Sequence, residues 1–306
     1  MIWLLIVLSL ALPYIIFFMM VWRNWKHLPQ IQENKEPALS FSIIIPARNE
    51  AGNLPPLLQD IFSQNYPKDF FEVIVVDDHS EDETAAVALA KRAKVIRLAE
   101  TGIITQAHKK AALTAGIAAA QHKWIITTDA DCSVGTEWLK IINDYLVEQN
   151  VEAAAAPVLI KTPNNLLQKI LATEAIGMAV ITGAMMQSRW LHLSNGANLI
   201  FKKSAFEAVG GYSDIDHIAS GDDMLLMEKL KKQVAVGFIK DARAVVSTKG
   251  PATLSELLHQ RVRWVGKFSK SATTVTAVFV LIYLLHLLLP VFIILAFLNP
   301  IFWLWA

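Results

Sequence analysis

The chain has 306 residues, 54% of them apolar, and a mean hydropathy of +0.40; that is too apolar for an ordinary soluble enzyme and excludes a disordered or collagen-like chain. With 28 basic and 27 acidic side chains the net charge is +1, so nothing marks a general nucleic-acid binder. The one cysteine, Cys132, excludes an internal disulfide and fits a reducing compartment.

The apolar excess lies at the two ends. Residues 1–22 contain no Asp, Glu, Lys or Arg. As a helix, Ile2 to Trp22 covers roughly 31 Å, enough to cross the hydrocarbon core. The run lacks a preceding basic segment and is too long for a cleaved signal peptide. Arg23, Lys26 and His27 follow at once. By the positive-inside rule they place the next domain in the cytoplasm, against the cell membrane. Residues 23–40 read as a linker with Pro29 and Pro37.

Phe41 to Pro46 is a β-branched run stopped by proline, which predicts a buried strand. Residues 51–65 suit a helix, with Pro55 and Pro56 in its first turn. Val73–Val76 predicts a second strand ending in Asp77-Asp78, and Ser80 and Asp82 offer caps for a helix through Arg92. A strand at 94–98, an alanine-rich helix at 106–121, a strand at 124–128 ending in Asp129-Ala130-Asp131 and a helix at 136–149 follow. Apolar strands alternating with helices predict an α/β fold with a mostly parallel sheet covered on both faces. Ligands of such sheets lie outside the carboxyl ends of the strands. Here those ends carry Arg48-Asn49-Glu50, Asp77-Asp78, and Asp129 with Asp131.

No GxGxxG follows the first strand and no GxxxxGK[ST] is present, which argues against a dinucleotide fold of the dehydrogenase type and an NTPase phosphate loop. Asp129 and Asp131 offer hard oxygen ligands at a strand end. Two such carboxylates suit Mg²⁺ or Mn²⁺, with substrate phosphates completing the octahedron; an acidic pair can also be a solvated turn. Stretch 164–192, with Met178, Met185, Met186 and Trp190, reads as packing against helices or a membrane surface rather than a cofactor. Asp222 and Asp223 precede a helix over Met224–Leu230, where one acid can cap and the other react. Residues 253–270 form a basic amphipathic helix that alone reads as an interfacial anchor. Residues 271–306 carry no formal charge. They predict one span, with His286 and Pro290 inside it, and after Asn299-Pro300 the start of another that the sequence leaves incomplete.

Together these pieces resemble glycosyltransferase family 2, the inverting enzymes of GT-A fold, and in particular the membrane-embedded branch that holds cellulose, hyaluronan, chitin and poly-N-acetylglucosamine synthases. The resemblance covers about residues 41–268. It rests on Ile45-Pro46-Ala47-Arg48-Asn49-Glu50, on Val76-Asp77-Asp78-His79-Ser80, and on Lys109 with Ala112-Leu113-Thr114-Ala115-Gly116, where His108 and Thr114 replace the usual Gly and Asn. It continues through Asp129-Ala130-Asp131 and Gly221-Asp222-Asp223 to the QxxRW of Gln260-Arg261-Val262-Arg263-Trp264.

The resemblance implies a catalytic domain at 41–252 and a nucleotide-sugar donor, commonly a UDP-sugar. Pro46, Arg48, Glu50, Asp77, Asp78, Lys109 and Asp129 would serve donor binding, with Asp78 preferred for base and ribose. Asp131 would hold the metal and Asp129 would orient it. Asp223, or Asp222 one residue earlier, would be the base. Gln260, Arg263 and Trp264 would close the site on the diphosphate and the acceptor. The acceptor would be a saccharide or lipid-linked, at a lipid bilayer, without nucleic acid. Processive polymer synthesis and a single transfer to a lipid-linked acceptor both stay open, and a silent binding protein is the rival from another class.

Overall fold

The computed structural model describes residues 2–32, 36–101, 108–161, 165–188, 194–215 and 221–268, with the backbone alone at 2–11, 13, 108, 222 and 263–268. Trp190, Ser220 and the apolar stretch 271–306 lie outside the described residues. In chain order the elements are α1 (Ile2–Lys26), β1 (Phe41–Ala47), α2 (Leu54–Phe62), β2 (Phe71–Asp77), α3 (Thr84–Ala90), β3 (Lys94–Arg97), α4 (His108–Ala119), β4 (Trp124–Thr127), β5 (Ser133–Val134) and α5 (Trp138–Glu148). They continue with β6 (Ala153–Ala155), β7 (Val158–Ile160), α6 (Leu166–Gln187), β8 (Leu199–Lys202), α7 (Lys203–Ala208), α8 (Asp222–Leu230), β9 (Val236–Phe238), β10 (Val246–Thr248) and α9 (Leu254–Phe268).

Among the described residues the main sheet has the order β3-β2-β1-β4-β8-β6-β9. β3, β2, β1 and β4 are parallel; β8 runs antiparallel to β4 and β6, and β6 pairs β9 in parallel. The sheet is therefore mixed and mostly parallel, as expected. Its central strand shows why the apolar runs lack alternation. Ile43 and Ile45 of β1 pack with Leu54 and Leu57 of α2 and Trp138 of α5. Ile44 packs on the other face with Ala112, Leu113 and Ile117 of α4. Both faces are covered, so both parities must be apolar. A Cβ at Gly116 would lie 2.5 Å from Cγ2 of Ile44, so glycine is what lets α4 sit this close to the strand.

Several local expectations are corrected. Ser80 does not cap a helix: its hydroxyl accepts from the Asn49 amide at 3.0 Å, while Asp82 accepts from the Thr84 amide at 3.0 Å. Lys110, in the first turn of α4, is buried and donates to the Ile215 carbonyl at 2.7 Å. The helix expected to open at Met224 opens at Asp222, behind Gly221 at φ +81°, a left-handed position that suits glycine. β5, β7 and β10 form a second small sheet in the order β5-β10-β7, with strands too short to carry a readable period.

The stretch read as a linker is held to the domain. Asn143 of α5 is buried, and its Oδ1 accepts from the amides of Ala38 at 3.0 Å and Leu39 at 3.2 Å and from the Tyr66 hydroxyl at 3.1 Å. Leu28 is buried too, in the cluster with Phe238. α1 then packs on α6: Phe17, Met20, Val21 and Trp25 meet Val180, Ile181, Ala184 and Met185, and Met224 of α8 joins them. Among the described residues one helix, α6, is long and apolar enough to cross a membrane by length and composition, and 28% of its apolar window is buried.

Asn143→Ala should strand the amides of Ala38 and Leu39 together, while the Tyr66 hydroxyl keeps the Leu39 carbonyl at 2.6 Å. One buried polar group without a partner costs about 1–3 kcal/mol, so the variant should lose about 2–4 kcal/mol against the wild type in thermal or urea unfolding. A loss under 0.5 kcal/mol would mean that the linker contacts carry no stability.

Candidate active site

The strand ends bring the polar residues to one edge because β1, β2 and β4 run in near register. Phe41 faces Phe71 on one side and Trp124 on the other. At the far end Ala47 pairs with Asp77, and the Thr128 amide continues the ladder to the Ile44 carbonyl at 3.2 Å.

Two left-handed residues, Asn49 at φ 56° and His79 at φ 58°, turn the chain after β1 and β2. The turns lock each other. Besides the Asn49–Ser80 contact, the Glu81 amide donates to Oδ1 of Asn49 at 2.8 Å and the Glu50 amide to the Thr84 hydroxyl at 2.8 Å. Asp77 and Asp78 are both buried but differ in partners. Asp77 accepts from the Ser80 amide at 3.1 Å, a structural turn bond. Oδ1 of Asp78 meets Nδ1 of His79 at 3.0 Å. Glu50 accepts from Asn53 Nδ2 at 2.6 Å. Arg48 is exposed on the same rim.

Asp129 and Asp131 follow β4. Nζ of Lys109, from the first turn of α4, lies 2.6 Å from Oδ1 of Asp129, with the two side chains 38% and 35% exposed. At that exposure the pair adds little stability; its effect is to hold Asp129 in place. Asp131 is held from the small sheet, where Thr248 of β10 donates to its Oδ2 at 3.1 Å. The buried Cys132 Sγ lies 3.8 Å from its Oδ1. Burial first, and then the charges of Asp129 and Asp131, push the Cys132 thiol up to about 12. It stays a neutral thiol at physiological pH.

Asp223 opens α8. Its Oδ2 accepts from the Gly196 amide at 3.0 Å and its Oδ1 from the Met224 amide at 2.7 Å, so backbone donors fix the orientation of the carboxylate. Gly196 is in turn held through its carbonyl, which accepts from the buried Thr127 hydroxyl of β4 at 2.7 Å. Asn198, fully buried, fixes the same turn: it donates to the carbonyls of Pro157 at 3.0 Å and Ala244 at 2.8 Å and accepts from Trp138 Nε1 at 3.3 Å.

These residues border one cavity of about 470 Å³. Lys109, Asp129, Asp131, Asn195, Asp223 and Gln260 line its polar side, and Leu171, Ala175, Met178 and Ala179 of α6 line another wall. Pro46, Arg48, Glu50, Asp77 and Asp78 do not line it; they extend the site along the carboxyl edge of β1 and β2. Arg261 of α9 reaches across to Glu174 of α6 as an ion pair. The side chains of Asp222, Arg263 and Trp264 lie outside the described residues. Thr127, Thr248 and Lys249 belong to this site and carry no signal in the sequence.

Among the described residues no cluster of three or more His, Cys, Asp or Glu is placed to hold a metal. The oxygen donors that are present, Asp131 with Asp129, match a hard divalent cation that keeps most of its coordination for water and substrate phosphates.

The model of the family described as Glycosyl transferase family 2 matches residues 42–210. Glycosyltransferase AglE of Haloferax volcanii is 28% identical over 229 residues, covering 74% of this chain and 71% of that protein. The beta-monoglucosyldiacylglycerol synthase of a Synechocystis strain is 25% identical and covers 74% of this chain. The chain spans 47% of that synthase. Among solved structures, the mannosyltransferase PcManGT from Pyrobaculum calidifontis, in complex with GDP-Man and Mn²⁺, aligns with a TM-score of 0.64 at 21% identity, over 86% of this chain and 74% of its own. Staphylococcus aureus TarS 1-349 in complex with UDP-GlcNAc aligns at 0.52 and 19%, over 72% and 61%. These likenesses assign the GT-A arrangement of the sheet.

The Cys132 environment has a measurable consequence. A thiol reagent at pH 8 should modify the native protein at least 100-fold more slowly than the urea-unfolded chain, because only the unfolded thiol ionises there. The folded state also keeps its proton above the ordinary thiol value of 9.0, so this group's contribution to stability is complete below that pH and is lost as pH rises toward 12. Equal labelling rates would remove the buried neutral thiol.

Proposed function

The chain belongs to glycosyl transferase family 2, and from that premise we propose that it moves a sugar from a nucleotide-diphosphate sugar to a saccharide or lipid-linked hydroxyl, with inversion, at the surface of a membrane. It is a glycosyltransferase enzyme. The observation that carries the fuller reading is the meeting of Asp129, Asp131 and Asp223 around one cavity beside the carboxyl ends of a parallel sheet.

Asp131, with Asp129, would hold Mg²⁺ or Mn²⁺, which when bound offsets the charge that builds on the departing diphosphate. Asp78, with Asp77 or Glu50, takes the base and ribose along the β1–β2 edge, beside Pro46 and Arg48. Asp77 is tied into the turn by the Ser80 amide, and Asp78, which meets the His79 ring, is assigned the contact by motif. Lys109 can turn from Asp129 toward the diphosphate. Arg263 and Trp264 are assigned to diphosphate and acceptor by motif, and Gln260 lines the cavity beside them.

In the transfer, the acceptor oxygen bonds to the anomeric carbon as the bond from that carbon to the diphosphate oxygen breaks. The electron pair leaves with the nucleoside diphosphate, and the acceptor proton passes to a carboxylate of Asp223. General-base catalysis of this kind contributes about 10²- to 10⁴-fold. Attachment to the membrane is assigned to α1, to the α9 surface and to the uncharged stretch 271–306, with the catalytic domain on the cytoplasmic side. Product length separates processive synthesis from a single transfer.

A donor screen in detergent with Mg²⁺ or Mn²⁺ tests the reading, with excess chelator expected to abolish turnover. Asp223→Asn should keep nucleotide binding by calorimetry and lose about 10²- to 10⁴-fold in rate. Asp131→Asn should weaken metal and donor binding instead. A near-normal rate in Asp223→Asn rejects the base, and a large loss in Asp222→Asn alone moves it by one residue. Full activity in chelator defeats the metal role.

A further inference from the structure

Resting on the transferase reading, we propose that the acceptor is a hydroxyl-bearing lipid taken from the bilayer, whose hydrocarbon chain lies along α6 while its hydroxyl points to Asp223.

Three observations carry this. The first is the wall of the cavity. Leu171, Ala175 and Met178 repeat at the spacing that puts them on one face of α6; with Ala179, Thr182 and the Arg261-paired Glu174 they line the same cavity as Asp131 and Asp223, so that wall is mostly aliphatic. A sugar chain presents hydroxyls on all sides, and burying hydroxyls against aliphatic groups without partners costs free energy. A hydrocarbon chain gains by the same contact, at about 25 cal/mol per Å² of apolar surface removed from water.

The second is that, among the described residues, the outer faces around this cavity are also apolar and exposed. On α6, Leu166, Ile170 and Ile176 are 74%, 57% and 53% exposed. On α9, Leu254, Leu258 and Val262 are 63%, 58% and 72% exposed, spaced four apart as one stripe. α9 thus turns Gln260 and Arg261 to the cavity and a leucine-valine stripe outward. An amphipathic helix with that division lies in a membrane interface. The exposed Ile15, Ile16, Phe18, Met19 and Trp22 of α1 extend the apolar surface next to α6.

The third is continuity with the chemistry. Met224 packs into the α1–α6 contact, and the neighbouring Asp223 faces the cavity. The Glu174–Arg261 pair joins α6 to α9 beside it. A chain lying along Leu171, Ala175 and Met178, past that ion pair, reaches the carboxylate over mostly apolar surface, so the occupant this geometry fits is an amphiphile with one reactive hydroxyl.

The test is an acceptor series at fixed nucleotide sugar, using methyl, octyl and dodecyl glucosides and N-acetylglucosaminides in one detergent. For the wild type, kcat/KM should rise at least tenfold from methyl to dodecyl. Partition into micelles raises that ratio for every variant alike, so the wall is read from Ala175→Glu and, without added charge, Ala175→Phe. Both should bring the dodecyl-to-methyl ratio down at least fivefold while nucleotide affinity by calorimetry stays within twofold. Equal kcat/KM for methyl and dodecyl acceptors in the wild type overturns the lipid acceptor while leaving the transferase reading intact. So does an unchanged ratio in Ala175→Phe. A protein that binds nucleotide sugar but neither hydrolyses nor transfers it overturns the transferase reading, and the lipid acceptor falls with it.

Discussion

Gly196 joins the two halves of the site. Its carbonyl takes the Thr127 hydroxyl from the last residue of β4, and its amide gives the hydrogen bond that orients Asp223. Asp129 begins two residues beyond Thr127. The strand that leads to Asp129 and Asp131 and the helix that carries Asp223 are therefore tied through one backbone turn. Each bond has the Gly196 main chain as one partner, so only the Thr127 and Asp223 side chains have to be set. The turn itself cannot drift, because Asn198 spends its buried amide on Pro157, Ala244 and Trp138. A buried amide that left these bonds would go unsatisfied.

That arrangement makes sense only on this sheet. Parallel strands in register end together, and β1 is paired on both sides over its length. The order β3-β2-β1-β4 brings Asp77, Asp78, Asp129 and Asp131 to one edge although they are far apart in sequence. The antiparallel β8 then returns the chain beside β4, which is what places the Gly196 turn directly behind Asp129. Reversing β8 would move the turn to the opposite edge of the sheet, away from every carboxylate.

How much of this could be read in advance followed the range of the interactions. The four parallel strands were legible because Ile43, Ile44 and Ile45 are buried on both faces and leave no polar residue between them. α9 was legible because its stripe and its QxxRW spacing are local. The antiparallel turn of β8 was not, since a four-residue apolar run has the same appearance in either direction. The burial of Lys110 was not legible for a related reason: a lysine at a helix start is solvated unless a distant carbonyl reaches it, and Ile215 is far along the chain. Thr127 and Thr248 carry no signal at all, as each acts through a partner that only the fold brings near. The carboxylates stood out because charge at the end of a buried strand conflicts with its surroundings, and function is where such conflict is kept.

The same conflict recurs on a larger scale between the charged side of the cavity and the aliphatic face of α6. Around a purely saccharide path, both walls would carry hydrogen-bonding groups. Here one wall carries three carboxylates and a lysine, and the other is mostly alanine, leucine and methionine, with Thr182 and the Arg261-paired Glu174 among them. A molecule that satisfies both must be divided in the same way, with its polar end at Asp223. The division also fixes its direction, because the reversed pose would bury a hydroxyl against Met178 and press hydrocarbon onto Asp131. Orientation therefore comes from desolvation alone, before any specific hydrogen bond forms. Met224 makes this arrangement rigid. It is packed between α1 and α6 while the residue before it is Asp223, so a shift of the apolar helices would carry that carboxylate with them.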